Sequence, residues 1–266
     1  MKGVFAQNMG FTLMELIGVM AIVSIMAAVI APGVFKVIDA NIGDAENKNI
    51  KALAGALEDS ITETKRIPHQ NTTEWITATA AYVDLPTSEI EFNARNFRRR
   101  IYIDPQFFTT SNTTFTGYTQ TSGLAQAPVS PRIMLVSDLT RNAPNPPTSN
   151  AAFSTIWDQT SGASVVEGPK VKIQRLNLAP LFHRVVLVNS NTQQPAYSIE
   201  AGSASPVPPA VGAVDGNITR YLLENSNLKL YADPYPSGAL LTLAILNNDH
   251  SYRYETGGSV WAWVRQ

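Results

Sequence analysis

From Phe11 to Ala31 the chain is apolar at nearly every position, with no Lys, Arg or His and one carboxylate, Glu15. As an α-helix that run reaches about 31 Å, close to the ~30 Å hydrocarbon thickness of a bilayer, and it predicts a membrane span. After Pro32 the pattern turns amphipathic: Val34, Phe35, Ile38, Ile42 and Ala45 are apolar, while Asp39, Asp44, Glu46 and Lys48 are polar. A second stripe, Ile50, Leu53, Leu57 and Ile61, keeps helical spacing but does not continue the face of the first. The second stripe is expected to pack on the protein's own globular head. Pro32 removes a backbone hydrogen bond and marks a kink, and Pro68 stops the helix near Arg66. Continuous from Phe11 to Arg66, the helix would measure about 84 Å, so its second half must stand outside the bilayer.

Beyond Ile67 the chain becomes rich in Thr, Asn and Ser, with a short helix expected around Trp75 to Tyr82 and a strand at Ile101 to Ile103. Thr109 to Gly123 reads as a polar loop. The second half has β character. Short runs at Ile133–Ser137, Val171–Leu176, Arg184–Asn189, Ala196–Glu200, Leu228–Ala232, Leu240–Leu246, Tyr252–Glu255 and Val260–Val264 are separated by Pro, Gly, Asn or Asp. They predict an antiparallel sheet, with hairpin loops at Asn189–Pro195, Asn247–His250 and Gly257-Gly258 and a three-strand meander at the end. Asn142–Asn150 and Gly202–Gly216 read as surface loops. The fold class expected is α+β: a long N-terminal helix, part transmembrane and part amphipathic, packed on a C-terminal antiparallel β-sheet.

Insertion of the apolar run is favoured by about 3 to 6 kcal/mol, and an ionised Glu15 opposes it by up to ~3 kcal/mol. A carboxylate in such surroundings calls for a cation. An α-amino group at Phe11, exposed if the chain is cut after Gly10, would supply one worth about 4 kcal/mol at 4 Å and an effective dielectric of 20. Gly10 followed by Phe11-Thr12-Leu13-Met14-Glu15-Leu16, a short leader with Lys2, and Pro32 closing the run together resemble the N-terminal signature of type IV pilins and secretion pseudopilins. The resemblance covers roughly the first forty residues.

That resemblance implies a pilin-like fold and a structural role. A prepilin peptidase would remove residues 1–10 by cutting between Gly10 and Phe11, then N-methylate Phe11. Glu15 would pair with the Phe11 amino group of a neighbouring subunit as helices bundle, with the first amphipathic stripe meeting those neighbours. The implied partners are further copies of the chain, the peptidase, an assembly ATPase, an inner-membrane platform protein and the membrane itself through residues 11–31. The implied location is the bacterial inner membrane, single-pass, with residues 67–266 as a head in the periplasm or outside the cell, and afterwards a filament. Three rivals remain: a secretory signal peptide, a plain single-pass anchor, and an anchored sugar- or DNA-binding module or enzyme that borrows the export segment.

Composition narrows these choices. The 266 residues are 15% charged and 44% apolar, enough for one sizeable domain besides the anchor. A net charge of −1 gives no general attraction to nucleic acid or anionic lipid. Cys is absent, so there is neither a disulfide nor a thiolate metal site. The disulfide-closed loop of many type IV pilins is therefore missing, which favours a pseudopilin-like subunit.

Little else marks a chemical site. His69, His183 and His250 stand in no ligand spacing and read as surface or hydrogen-bonded structural residues, and no nucleophile elbow or phosphate loop occurs. No cofactor, metal site or catalytic residue is expected, and the chain is read as a non-enzyme. Arg98-Arg99-Arg100 is a basic cluster open to a DNA contact but reads first as a solvated or salt-bridged turn. Asp215-Gly216-Asn217 and Asn247-Asn248-Asp249 carry oxygen donors for Ca²⁺ yet read first as turns. Tyr252 with Tyr254, and Trp261 with Trp263, share strand faces, which suits either a sugar platform or, preferred here, core packing under the helix with both faces of the last strand buried.

Overall fold

The computed structural model describes residues 12–70, 73–232, 240–245, 248–256 and 260–266. The chain is α+β. It opens with α1 (Leu13–Thr64), followed by β1 (Arg66–Ile67), α2 (Glu74–Ala80), α3 (Thr87–Glu91), β2 (Arg100–Ile103), β3 (Tyr118–Thr119) and β4 (Arg132–Asp138). Next come α4 (Asn150–Trp157), β5 (Val171–Asn177), β6 (Phe182–Asn189), β7 (Ala196–Ile199), β8 (Ser205–Pro206) and β9 (Gly216–Leu223). The last strands are β10 (Ser226–Tyr231), β11 (Leu240–Ile245), β12 (His250–Thr256) and β13 (Trp261–Arg265).

The chain divides within α1, at Ala45/Glu46, into two units. In the first, the large apolar side chains from Leu13 to Ile38 are exposed, and α1 is the one helix among the described residues that is long and apolar enough to cross a membrane. Pro32 lies inside α1, whose helical backbone continues on both sides. The helix stops at Thr64 because Lys65 takes a left-handed backbone, φ +55°, while its N–H still bonds Ile61 O. Arg66 and Ile67 then pair with Thr119 and Tyr118, so Arg66, expected to finish the helix, opens β1 instead.

In the second unit, the stripe Ile50, Leu53, Leu57 and Ile61 is buried, as its spacing predicted. Burying each of these side chains contributes about 1.5–3 kcal/mol. They pack on one face of the three-stranded sheet β2-β4-β5, against Ile101, Ile103, Ile133 and Leu135. Two-residue alternation sends Tyr102, Met134, Val136 and Ile173 to the other face, where Phe153 and Ile156 of α4 cover them. Ser149 starts α4 by accepting a bond from Ala152 N at 3.3 Å.

The remaining strands correct the single-sheet expectation. Two four-stranded sheets, in the orders β13-β12-β6-β9 and β11-β10-β7-β8, enclose a separate core that includes Leu187, Tyr197, Leu228, Tyr252 and Tyr254. The terminal meander does not form, because β11 pairs with β10 while β12 runs parallel to β6. β11 and β12, adjacent in sequence, fall in facing sheets, so each can turn its apolar side inward. Asn189–Pro195 likewise joins different sheets rather than closing a hairpin, and His250 is the first residue of β12. Gly257-Gly258 lies outside the described residues, although the flanking strands pair antiparallel.

Candidate functional site

Gly10 and Phe11 lie outside the described residues. Thr12 N and Thr12 Oγ1 each donate to Glu15 Oε2 at 2.9 Å, and Glu15 N donates back to Thr12 Oγ1 at 3.3 Å. This is a reciprocal cap of the first helical turn, in which a carboxylate at the third position also favours the positive end of the helix dipole. The signal for it is local: Thr12-Leu13-Met14-Glu15 has the spacing of a capping box.

The buried ionic site of the second unit joins residues far apart in sequence. Arg99 donates from Nε to Glu46 Oε1 at 2.6 Å and from Nη2 to Oε2 at 2.7 Å, with both side chains almost fully buried. Its Nη1 donates to Glu89 O, Ile90 O and Phe92 O at 2.5, 3.0 and 2.6 Å, which satisfies the carbonyl end of α3. The neighbouring arginines are also engaged: Arg98 with Glu91, and Arg100 Nε with Ala143 O at 2.8 Å. Arg98 and Arg99 are therefore salt-bridged, as the preferred reading held, but the cluster is not a turn: Arg98 bridges Phe92 and Arg100 opens β2.

A second buried carboxylate, Asp104, accepts from Arg132 Nη2 at 2.6 Å and from Asn150 Nδ2 at 2.9 Å. The Arg132 guanidinium also lies over the Phe153 and Trp157 rings, 5.3 and 5.4 Å from their centres. These contacts fasten β4 to α4. Sequence reasoning singled out neither carboxylate group.

Two of the three histidines differ from expectation. His183 and His250 are buried, and neither Nε2 has a hydrogen-bond partner among the described residues. His250 Nδ1 lies 3.0 Å from Tyr252 Oη. Burial lowers the His250 pKa below the ordinary imidazole value, helped by Arg265 and His183 and opposed by Asp249. Burial likewise lowers the Lys65 ammonium pKa, partly offset by Glu200, Glu63 and Glu224.

The remaining candidates have structural partners. Asp215 is held by Arg253 Nη2 at 2.6 Å, and Asp249 Oδ1 accepts from Arg184 N at 2.8 Å. No group of three or more potential metal ligands occurs among the described residues. Tyr252, Tyr254 and Trp263 are buried in the two-sheet core, which supports packing over a sugar platform. That core lies between the sheets, not under the helix, and Ala262 and Val264 on the opposite face of β13 are exposed. A cavity of about 440 Å³ between the end of α1 and α2 contains Arg66 and Glu74, which pair with each other at 3.1 Å.

These features define an α+β protein with one N-terminal helix long and apolar enough to span a membrane and a head that carries buried ion pairs. Compared with known families, curated proteins and solved structures, the chain matches none.

Proposed function

We propose that this chain is a structural subunit of a type IV pilus-like or type II secretion pseudopilus filament. The observation that carries the reading is the division of α1: one half exposes apolar side chains with a carboxylate at the outset, and the other is built into the head. The pilin-like order of Gly10, Phe11, Glu15 and Pro32 supports it. In this account, a prepilin peptidase cuts after Gly10 and methylates Phe11. The subunit waits in the inner membrane with its head on the far side. An ATPase and platform protein then extract it into the filament, where Glu15 meets the Phe11 amino group of an adjacent copy.

One observation favours a plain anchor carrying a binding module or enzyme. The Thr12 cap gives Glu15 a role inside its own helix. Mass spectrometry of the mature N-terminus separates the two readings. An N-methylated Phe11 is the expected result. A mature chain that keeps residues 1–10, or begins elsewhere, would sink the filament account.

A further inference from the structure

Among the described residues, the enclosed side-chain nitrogen and oxygen atoms without a hydrogen-bond partner are His183 Nε2 and His250 Nε2. Both residues are 8% exposed. A donor or acceptor left unpaired inside a protein is costly, and two of them on neighbouring strands call for a common explanation.

Strand register brings the two rings together. β6 and β12 run parallel, with His250 opposite Val185 and Tyr252 opposite Leu187. Residues two apart on a strand share a face, so His183, Val185, Leu187, His250 and Tyr252 all point to the inner side of this sheet, and all five are buried. His183 is one strand across from His250 and two residues back, which separates their Cα atoms by about 8 Å and leaves the rings within joint reach of one small ion. The rings are near enough that a proton on His183 disfavours one on His250. They do not hydrogen-bond each other.

His250 Nδ1 lies 3.0 Å from Tyr252 Oη, and Nε2 is on the other side of the ring. With Nδ1–H donating to that hydroxyl, the lone pair of His250 sits on Nε2. In that arrangement one ring nitrogen can ligate a metal while the other holds the ring in place. Burial, then Arg265 and His183, disfavours the protonated ring, so the lone pair is kept at neutral pH. Arg265 and Asp249 beside His250 oppose each other in sign, so selectivity rests on the imidazoles. Such nitrogens suit Zn²⁺, Ni²⁺ and Cu²⁺, whereas Ca²⁺ and Mg²⁺ take oxygen ligands.

We propose that His183 Nε2 and His250 Nε2 together bind one late first-row divalent metal ion, with the Tyr252 hydroxyl orienting His250. Two protein ligands leave coordination positions to solvent, so the ion is held less tightly than in a closed four-ligand site. Bound there, it ties the start of β12 to β6, two segments that pair across a long stretch of chain. The site belongs to the head and stands whether or not the chain is a filament subunit.

The test uses the full-length chain without a histidine tag, in detergent, stripped with EDTA and desalted. Zn²⁺ is titrated calorimetrically at about pH 7.5, where the imidazoles are neutral. One Zn²⁺ per chain is the expected result, and excess Ca²⁺ should not displace it. His183→Gln and His250→Gln should each weaken binding at least about tenfold, while His69→Gln should leave it unchanged. Electron paramagnetic resonance of Cu²⁺ on the wild-type chain needs no variant and should show coupling to two imidazole nitrogens. Absence of Zn²⁺ binding, displacement by Ca²⁺, binding that survives loss of either buried histidine, or a copper spectrum without two imidazole nitrogens would overturn the proposal.

Discussion

His250 lies beside the β6–β12 pairing, its ring stacked on Tyr252 and its Nε2 without a partner among the described residues. Burial, then Arg265 and His183, holds its folded pKa below the ordinary 6.5. The unfolded chain therefore binds a proton that the folded chain resists, and stability is lost as pH falls through about 6.5 toward the folded value. Thermal unfolding of the full chain should show a lower midpoint at about pH 5.5 than at about pH 7.5, with His250→Gln flattening that difference. An equally steep response in the variant would place the sensitivity elsewhere. The histidines were visible in the sequence, but the burial of His183 and His250 was not, because it depends on which strands close over them.

At the scale of elements, α1 combines two environments in one continuous helix. Its periodicity exposed the change of face near Ile50, and the structure places that later stripe on β2 and β4. The Glu46–Arg99 pair then fastens α1 to the carbonyl end of α3. Removing one partner leaves a buried charge alone, so Arg99→Met should destabilise the full chain by about 3–5 kcal/mol in chemical denaturation. Adding Glu46→Met should recover more than half of that loss, because the unmatched carboxylate is gone. A double variant as unstable as the single one would mean that the packing around α3, not the charge, dominates. The triplet Arg98–Arg100 was legible as ionic, but the partner of Arg99 was not, since Glu46 lies 53 residues earlier. β9 was missed for a related reason: Arg220 occupies an inward position among Ile218 and Leu222, held by Tyr197 Oη at 2.9 Å, and breaks the apolar alternation.

For the whole molecule, the filament account requires that assembly and folding of the head be separable. Glu15 belongs to the unit that ends at Ala45, whereas the three buried clusters are built from residues beyond it. Glu15→Ala should therefore lower recovery in sheared filaments at least about tenfold, as loss of more than ~1.4 kcal/mol would, while leaving the head's unfolding transition unchanged. Wild-type recovery of the variant would show that the carboxylate serves only the Thr12 cap.

By itself the sequence determined the membrane-length helix, the turn of its apolar face, and the β character of the second half. These follow from local periodicity and from Pro and Gly placement, which act over a few residues. Only the tertiary structure decided that the strands divide between three principal sheets, that β12 runs parallel to β6, and that Arg99 reaches Glu46. Strand partners are chosen by complementary faces brought together across long stretches of chain, and a local pattern says which side of a strand is apolar without saying what will cover it.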